Sequence, residues 1–243
     1  MIQTKYISIF SFIIIWQALA IILASSVFPS VVDIVFELYN HIYDGELLND
    51  LRITLIRVFI TFIITMAIGI FFGIVMGISK KTDEFFNFLL VLGLNIPALV
   101  VIVICYIWFG LSDFAALLAV VINKVPIVIV NIREGTRVIE KKYMDLAKVY
   151  KVDKKDVFFK VFLPQLYPYI MASIRLSLSL IWKIVLVVEL LGRSDGIGFK
   201  ISMFFQYFDI TSILAYSLAF IFVVLLIEKF ILKPFENKIL VWK

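Results

Sequence analysis

The stretch Arg133–Pro168, REGTRVIEKKYMDLAKVYKVDKKDVFFKVFLPQLYP, decides how the rest of the chain is read. It carries nine Lys/Arg and five Asp/Glu between two long apolar runs, yet keeps apolar residues at helical spacing. Leu146, Ala147, Val149 and Tyr150 suit one short helix, and Val157, Phe158, Val161 and Phe162 form a stripe on a second. Asp153, with Asp156 three residues on, reads as the start of that second helix. Leu163-Pro164 and Pro168 are expected to break the pattern, because proline lacks an N–H and its ring collides with the preceding turn. Two readings fit the segment: a helical elbow that presents a docking surface to a soluble partner, or an ordinary basic loop beside a membrane.

Outward from this segment the composition excludes an ordinary soluble domain. Of 243 residues 63% are hydrophobic, against ~45–50% in soluble domains, and the mean hydropathy is +1.08. Six runs are long enough to cross a bilayer, near 7–28, 53–78, 85–109, 114–132, 169–191 and 211–232, each crossing needing ~20 apolar residues. The expected fold is therefore all-α and integral to the membrane, one transmembrane domain over 1–243 with a polar loop at 133–168. The first run lacks a convincing A-x-A cleavage site and is longer than a signal-peptide core, so a retained anchor is expected. The third and fourth runs are joined by a short turn around Gly110–Asp113 and should form an antiparallel hairpin.

Charge gives the orientation. Lys5, Lys80, Lys81, the 133–160 segment, Lys229, Lys233, Lys238 and Lys243 fall on one side if both termini share it. The other side carries Asp33, Glu37, Asp44, Glu46 and Asp50, with Arg52 its only basic residue before the second span. By the positive-inside rule both termini and the elbow are expected in the cytoplasm. The same distribution sets nucleic acid aside as a partner, although the net charge is +5; lipid is the implied surrounding. Residues 29–52 should lie along the outer interface as an amphipathic helix, and 192–210, with Gly192, Gly196 and Gly198, should form a compact re-entrant or interfacial segment.

Catalytic sets are missing. There is no P-loop, no H-E-x-x-H and no carboxylate cluster inside the spans. His41 is the single histidine and Cys105 the single cysteine, so no metal site, cofactor or disulfide framework is expected. Gly69, Gly73 and Gly77 repeat a small-xxx-small spacing, read as a tight helix–helix contact or as filler. Lys124 and Lys183 fall near the middle of the fourth and fifth spans. A lysine there costs ~2.5–3.5 kcal/mol on insertion scales and normally faces a bundle interior or water. Each either lines a pathway, which would favour anionic cargo, or is satisfied locally; Glu189 is six residues from Lys183, poor geometry for a pair. Asn95 and Pro97 are expected to break the third span and Pro126 the fourth, exposing carbonyls where helices line a cavity. Ser179 and Trp182 join these as candidate pathway residues.

In these landmarks the chain resembles the inner-membrane permease subunits of bacterial ABC importers, in the nitrate/sulfonate/taurine-type branch. That family carries a cytoplasmic loop reading E-A-A-x-x-x-G and, further on, Leu-Pro. Counted back from Leu163-Pro164, the Glu position falls on Asp145, the two Ala positions on Leu146 and Ala147, and the Gly position on Lys151. Acid and second alanine are kept and the glycine is not; a glycine would suit a left-handed turn there, at which lysine costs ~1 kcal/mol. Phe28-Pro29-Ser30, Ile107-Trp108-Phe109-Gly110, Pro126 with Asn131 and Gly135, Arg175, Trp182, Glu189 to Gly192 and Gly196 to Gly198 follow in family order. The resemblance implies a type I importer permease, six spans with a coupling helix within 140–151. Tyr143, Asp145, Leu146, Ala147, Tyr150, Lys151, Leu163 and Pro164 would meet a cytoplasmic ATPase. It further implies two ATP-binding subunits, an extracytoplasmic substrate-binding protein, a homodimer, and no catalysis by this chain. The competing readings are an ATP-independent transporter or channel, and a membrane enzyme.

Overall fold

The computed structural model describes residues 2–25, 27–43 and 45–234, and among these every regular element is helical. In chain order they are α1 (Ile2–Leu23), α2 (Val31–Tyr43), α3 (Leu47–Ile78), α4 (Lys80–Asn95), α5 (Ala98–Phe109), α6 (Asp113–Arg137) and α7 (Lys141–Val149). After them come α8 (Lys154–Asp156), α9 (Leu163–Gly192), α10 (Ile197–Gln206) and α11 (Ile210–Ile227), with π-helical turns at Val157–Phe162 and Glu228–Leu232. Asp44, Lys238 and Lys243, which entered the charge reading, lie outside the described residues.

Among the described residues, Leu47–Ile78, Asp113–Arg137 and Ile210–Leu232 are long and apolar enough to span a bilayer. The third expected span is a bent pair: α4 and α5 meet at 97°. Proline explains the corner, since the residue before it avoids the helical region; Ile96 is extended and Pro97 opens α5. Asn95 closes α4 by donating from Nδ2 to the Val91 carbonyl at 2.8 Å. The first and fifth expected spans fall on α1 and α9, of 22 and 30 residues.

Three proline expectations are corrected. Pro126 lies buried inside an unbroken α6, and Pro164 and Pro168 lie inside α9 rather than ending a helix. Around Pro164 the strain is taken up by the π turn at Val157–Phe162, whose wider ring relieves the clash between the proline ring and the carbonyl four residues back. The result is a continuous helical run from Lys154 to Gly192.

The contacts divide the chain into two compact units: residues to Leu55 with Glu189–Leu226, and Ile56–Val188 with the residues from Ile227. In the second unit α3 lies against α6 with almost no space between them. A methyl group on Gly69, Gly73 or Gly77 would collide with Val128, Ile132 or Thr136 respectively, one contact per turn on each helix. The repeat is therefore a packing seam, the geometry that holds helices together where lipid leaves no hydrophobic drive between them. Met66, Val128, Ile132, Phe162 and Leu166 form the adjoining core, so the π turn beyond the elbow is anchored in it by Phe162. The expected α5–α6 hairpin forms, with Ser112 capping α6 through the Ala115 N–H.

In the first unit, Ser30 and Asp33 form a reciprocal capping box at the start of α2. Trp16 donates to the Pro29 carbonyl at 3.0 Å and the Val31 N–H donates to Gln17 at 2.9 Å, fixing the α1–α2 corner. The segment expected at 192–210 to be re-entrant or interfacial holds α10 with a tight approach. Two buried carboxylates hold its start: Asp50 accepts from the Gly196 N–H at 3.2 Å and Glu189 from the Gly198 N–H at 2.9 Å. Thr54 donates to Glu189 at 2.9 Å and accepts from the Ile197 N–H at 2.9 Å. Carboxylates at a helix N-terminus satisfy donors that have no partner within the helix. Gly196, at φ 92° and with the Glu189 carboxylate where a Cβ would sit, must be glycine.

Candidate functional site

The elbow is a helix, a left-handed turn and a second helix, all in the second unit. α7 ends in a Schellman turn: the Val152 N–H donates to the Ala147 carbonyl at 3.0 Å and the Lys151 N–H to the Lys148 carbonyl at 3.1 Å. Lys151 has φ 49°, the left-handed conformation that glycine adopts without cost. The turn therefore keeps the shape a glycine would give although the residue is lysine. Asp153 occupies the N-cap of α8 as expected, but its side chain makes no capping hydrogen bond; its carbonyl accepts the first bond, from the Val157 N–H at 2.9 Å.

Five of the eight expected docking residues come together, and Asp145, Lys151 and Leu163 lie outside their groove. Tyr143, Leu146, Ala147, Tyr150 and Pro164 line one open groove of about 410 Å³, closed on its far side by Lys160, Val161 and Gln165. Ala147 is buried, while Leu146 is 59% and Tyr150 74% exposed. These large apolar side chains are held outward on a short helix between charged neighbours. Asp145 is exposed and meets Lys148 at 3.1 Å, an ion pair that solvent screens. A contact from Glu140 holds the Lys142 ammonium above the usual lysine range. Lys151 shapes the turn, and Leu163 opens α9 beside Pro164. Val152, Lys160 and Gln165 went unnoticed in the sequence, and Val161 was read only as part of an apolar stripe. Their signal was there: 160, 161, 164 and 165 share a helix face.

The candidate pathway residues do not form one cluster. Ser179 and Lys183 are one turn apart on an exposed face of α9, which lipid alone would not tolerate. Trp182 is 7% exposed and turned inward. Lys124 is half-buried on α6. Asn95 and Pro97 are exposed at the α4–α5 corner. Glu189, fully buried in the first unit, holds α10. Sequence reading had also overlooked Asp83, Arg133 and Arg137, whose side chains join at one end of α4 and α6.

Comparison with known proteins matches this arrangement to a family. The family model described as binding-protein-dependent transport system inner membrane component matches residues 66–231. The Bacillus subtilis protein named as an aliphatic sulfonates transport permease, SsuC, is 30% identical over 233 residues, covering 95% of this chain and 84% of that one. The Synechococcus elongatus nitrate import permease NrtB is 26% identical over 200 residues, 78% of this chain and 72% of that one. Among solved structures, inward-facing conformations of the MetNI methionine ABC transporter align with TM-score 0.65 over 76% of this chain and 92% of that chain. At 15% identity that likeness concerns the fold.

Proposed function

The chain belongs to the binding-protein-dependent transport system inner membrane components, the permeases of ABC importers, and we propose that its α7 is the helix through which a separate ATPase drives it. The observation that carries this reading is the elbow: a nine-residue helix with Leu146 and Tyr150 outward, locked by a left-handed turn at the family's glycine position. ATP binding and hydrolysis then take place in two partner subunits, and this chain turns their closure into a change of access, catalysing nothing itself. Six passes, with α1, the α4–α5 pair and α9 among them, put both termini and α7 in the cytoplasm, in keeping with the basic residues on that side. α2 and α10 face outward, where a substrate-binding protein delivers cargo, and two copies of the chain enclose the path.

The cargo in this reading is a small anion of the nitrate or sulfonate kind. Its support is the pair of relatives named for those solutes and the exposed Lys183 beside Ser179 on α9. We assign Ser179, Lys183, Lys124, Asn95 and Pro97 to the path, with Trp182 packing behind it and Glu189 bracing α10. Asp145→Arg and Leu146→Arg test the coupling assignment: the chain should still insert and fold, while co-purification of the ATP-binding subunit falls at least tenfold, about 1.4 kcal/mol. Undiminished co-purification in both variants would remove the assignment.

A further inference from the structure

Between α7 and the α4–α5 corner stands a charged cluster that neither packing nor the docking surface uses. The Asp83 carboxylate, in the first turn of α4, accepts from Arg133 at 2.9 Å and from Arg137, two residues one turn apart at the end of α6. Asn87, one turn further along α4, accepts from Arg133 at 3.1 Å. Glu134 accepts from Arg133 at 3.0 Å and from Arg137 at 3.1 Å, squaring the two guanidinium groups toward α4. The Asp83 and Arg133 side chains are 16% and 13% exposed, so salt screens them less than a surface pair. A carboxylate receiving two guanidinium groups is a charge-assisted, geometrically rigid joint.

Its position gives the joint a use. Arg137 ends α6, and only Val138–Glu140 separate it from the first residue of α7. That short connector is itself pinned, the Glu140 N–H donating to Gln165 of α9 at 3.1 Å. A displacement of α7 passes to α9 through Gln165 and, along the chain, to Arg137, Asp83 and α4, whose other end is the Asn95–Pro97 corner. Without Asp83, the single Arg133–Asn87 hydrogen bond is what remains of the cluster's tie to α4; Glu134, on α6 itself, ties nothing to α4.

We infer that Asp83 is the positioning residue that makes α4 move with the coupling helix. This rests on the reading of α7 given above. The test uses the full chain with its ATP-binding subunit in lipid nanodiscs, with Cys105 replaced by Ser and spin labels at Glu84→Cys on α4 and Lys142→Cys on α7. In the otherwise unmodified complex the two labels should keep the same separation with and without vanadate-trapped nucleotide. In Asp83→Asn the ATPase should co-purify undiminished, while trapping shifts the separation by ~2 Å or more. Asp83→Glu should restore the fixed separation. A merely stabilising role would lower the melting temperature and leave the separation fixed in both states; that result, or a nucleotide-dependent separation in the otherwise unmodified complex, overturns the inference. Should Asp83→Asn fail to fold, Arg137→Gln removes one arm only and is judged by the same distances. A chain that holds no ATP-binding subunit at all sinks the reading of α7 and this inference with it; a complex that forms and ignores Asp83→Asn sinks this inference alone.

Discussion

Gly73→Ala puts the α3–α6 seam under direct load. The new Cβ would lie 2.6 Å from Ile132 Cβ, 2.8 Å from its Cγ2 and 3.0 Å from the Ile129 carbonyl oxygen, where ordinary contact is 3.4–4 Å. Rotation of Ile132 relieves neither the Cβ nor the backbone contact, so the helices must part by ~1 Å, enough to forfeit a quarter to a half of each neighbouring dispersion contact. Gly69 against Val128 and Gly77 against Thr136 lie one turn away on either side and are drawn apart too. Overpacking of this kind costs ~1–3 kcal/mol; at ~2–4 °C per kcal/mol for a chain of this size, the melting temperature in detergent should fall by ~2–12 °C. The double variant Gly73→Ala/Ile132→Ala should recover part of that loss, because the space opened at Ile132 accepts the new methyl. Its cost should therefore be smaller than the sum of the two single costs. A Gly73→Ala chain that melts with the unmodified one, or strict additivity in the double variant, refutes the seam.

Other consequences concern single joints. Lys151 sits at φ 49°, a conformation costing ~1–2 kcal/mol for L-residues and more for a β-branched one. Elbow stability, read by hydrogen exchange at the Val152 N–H, should thus order Gly above Lys above Val at position 151; equal protection in Lys and Val variants contradicts the left-handed turn. Glu189→Ala leaves the donors of Thr54 and Gly198 without the oxygen they share and should cost ~2 kcal/mol, exposing Lys200 to faster tryptic cleavage; an unchanged cleavage rate removes the brace. The Glu46 carboxyl is held below its ordinary 4.5 by the hydrogen bond and charge of Lys200. A depressed folded-state value gives stability that is complete above the unfolded value and is lost as pH falls through the folded one. The unmodified chain should therefore outlast Glu46→Gln at neutral pH and converge with it in acid; a difference that persists in acid rejects the pair.

What could be read in advance followed local chemistry. Apolar runs located Leu47–Ile78, Asp113–Arg137 and Ile210–Leu232, the described helices long and apolar enough to cross a bilayer, because hydrocarbon demands ~20 apolar residues whatever the tertiary contacts. The glycine repeat announced the α3–α6 seam because its period equals one turn. The elbow's two helices were legible from spacing, and Lys151 from a motif position where the backbone must turn left. The prolines were not. Whether Pro126 or Pro164 ends a helix depends on what its ring meets, here the close approach of Gly93 for Pro126 and a π turn before Pro164, and neither is written in the local sequence. Asp50 and Glu189 looked like loose interfacial or pathway acids because their partners, the N–H groups of Gly196 and Gly198, belong to the backbone. The Asp83–Arg137 joint links residues 54 positions apart, beyond any local pattern.

The central claim, that α7 is gripped by a separate ATP-driven subunit, is tested most directly by a photo-crosslinking amino acid in place of Leu146 in living cells. The account predicts a crosslinked product whose second component is an ATP-binding subunit, lost when Tyr150 is also changed to Lys. Crosslinks to lipid or to an extracytoplasmic protein alone, with the complex transporting normally, would contradict it.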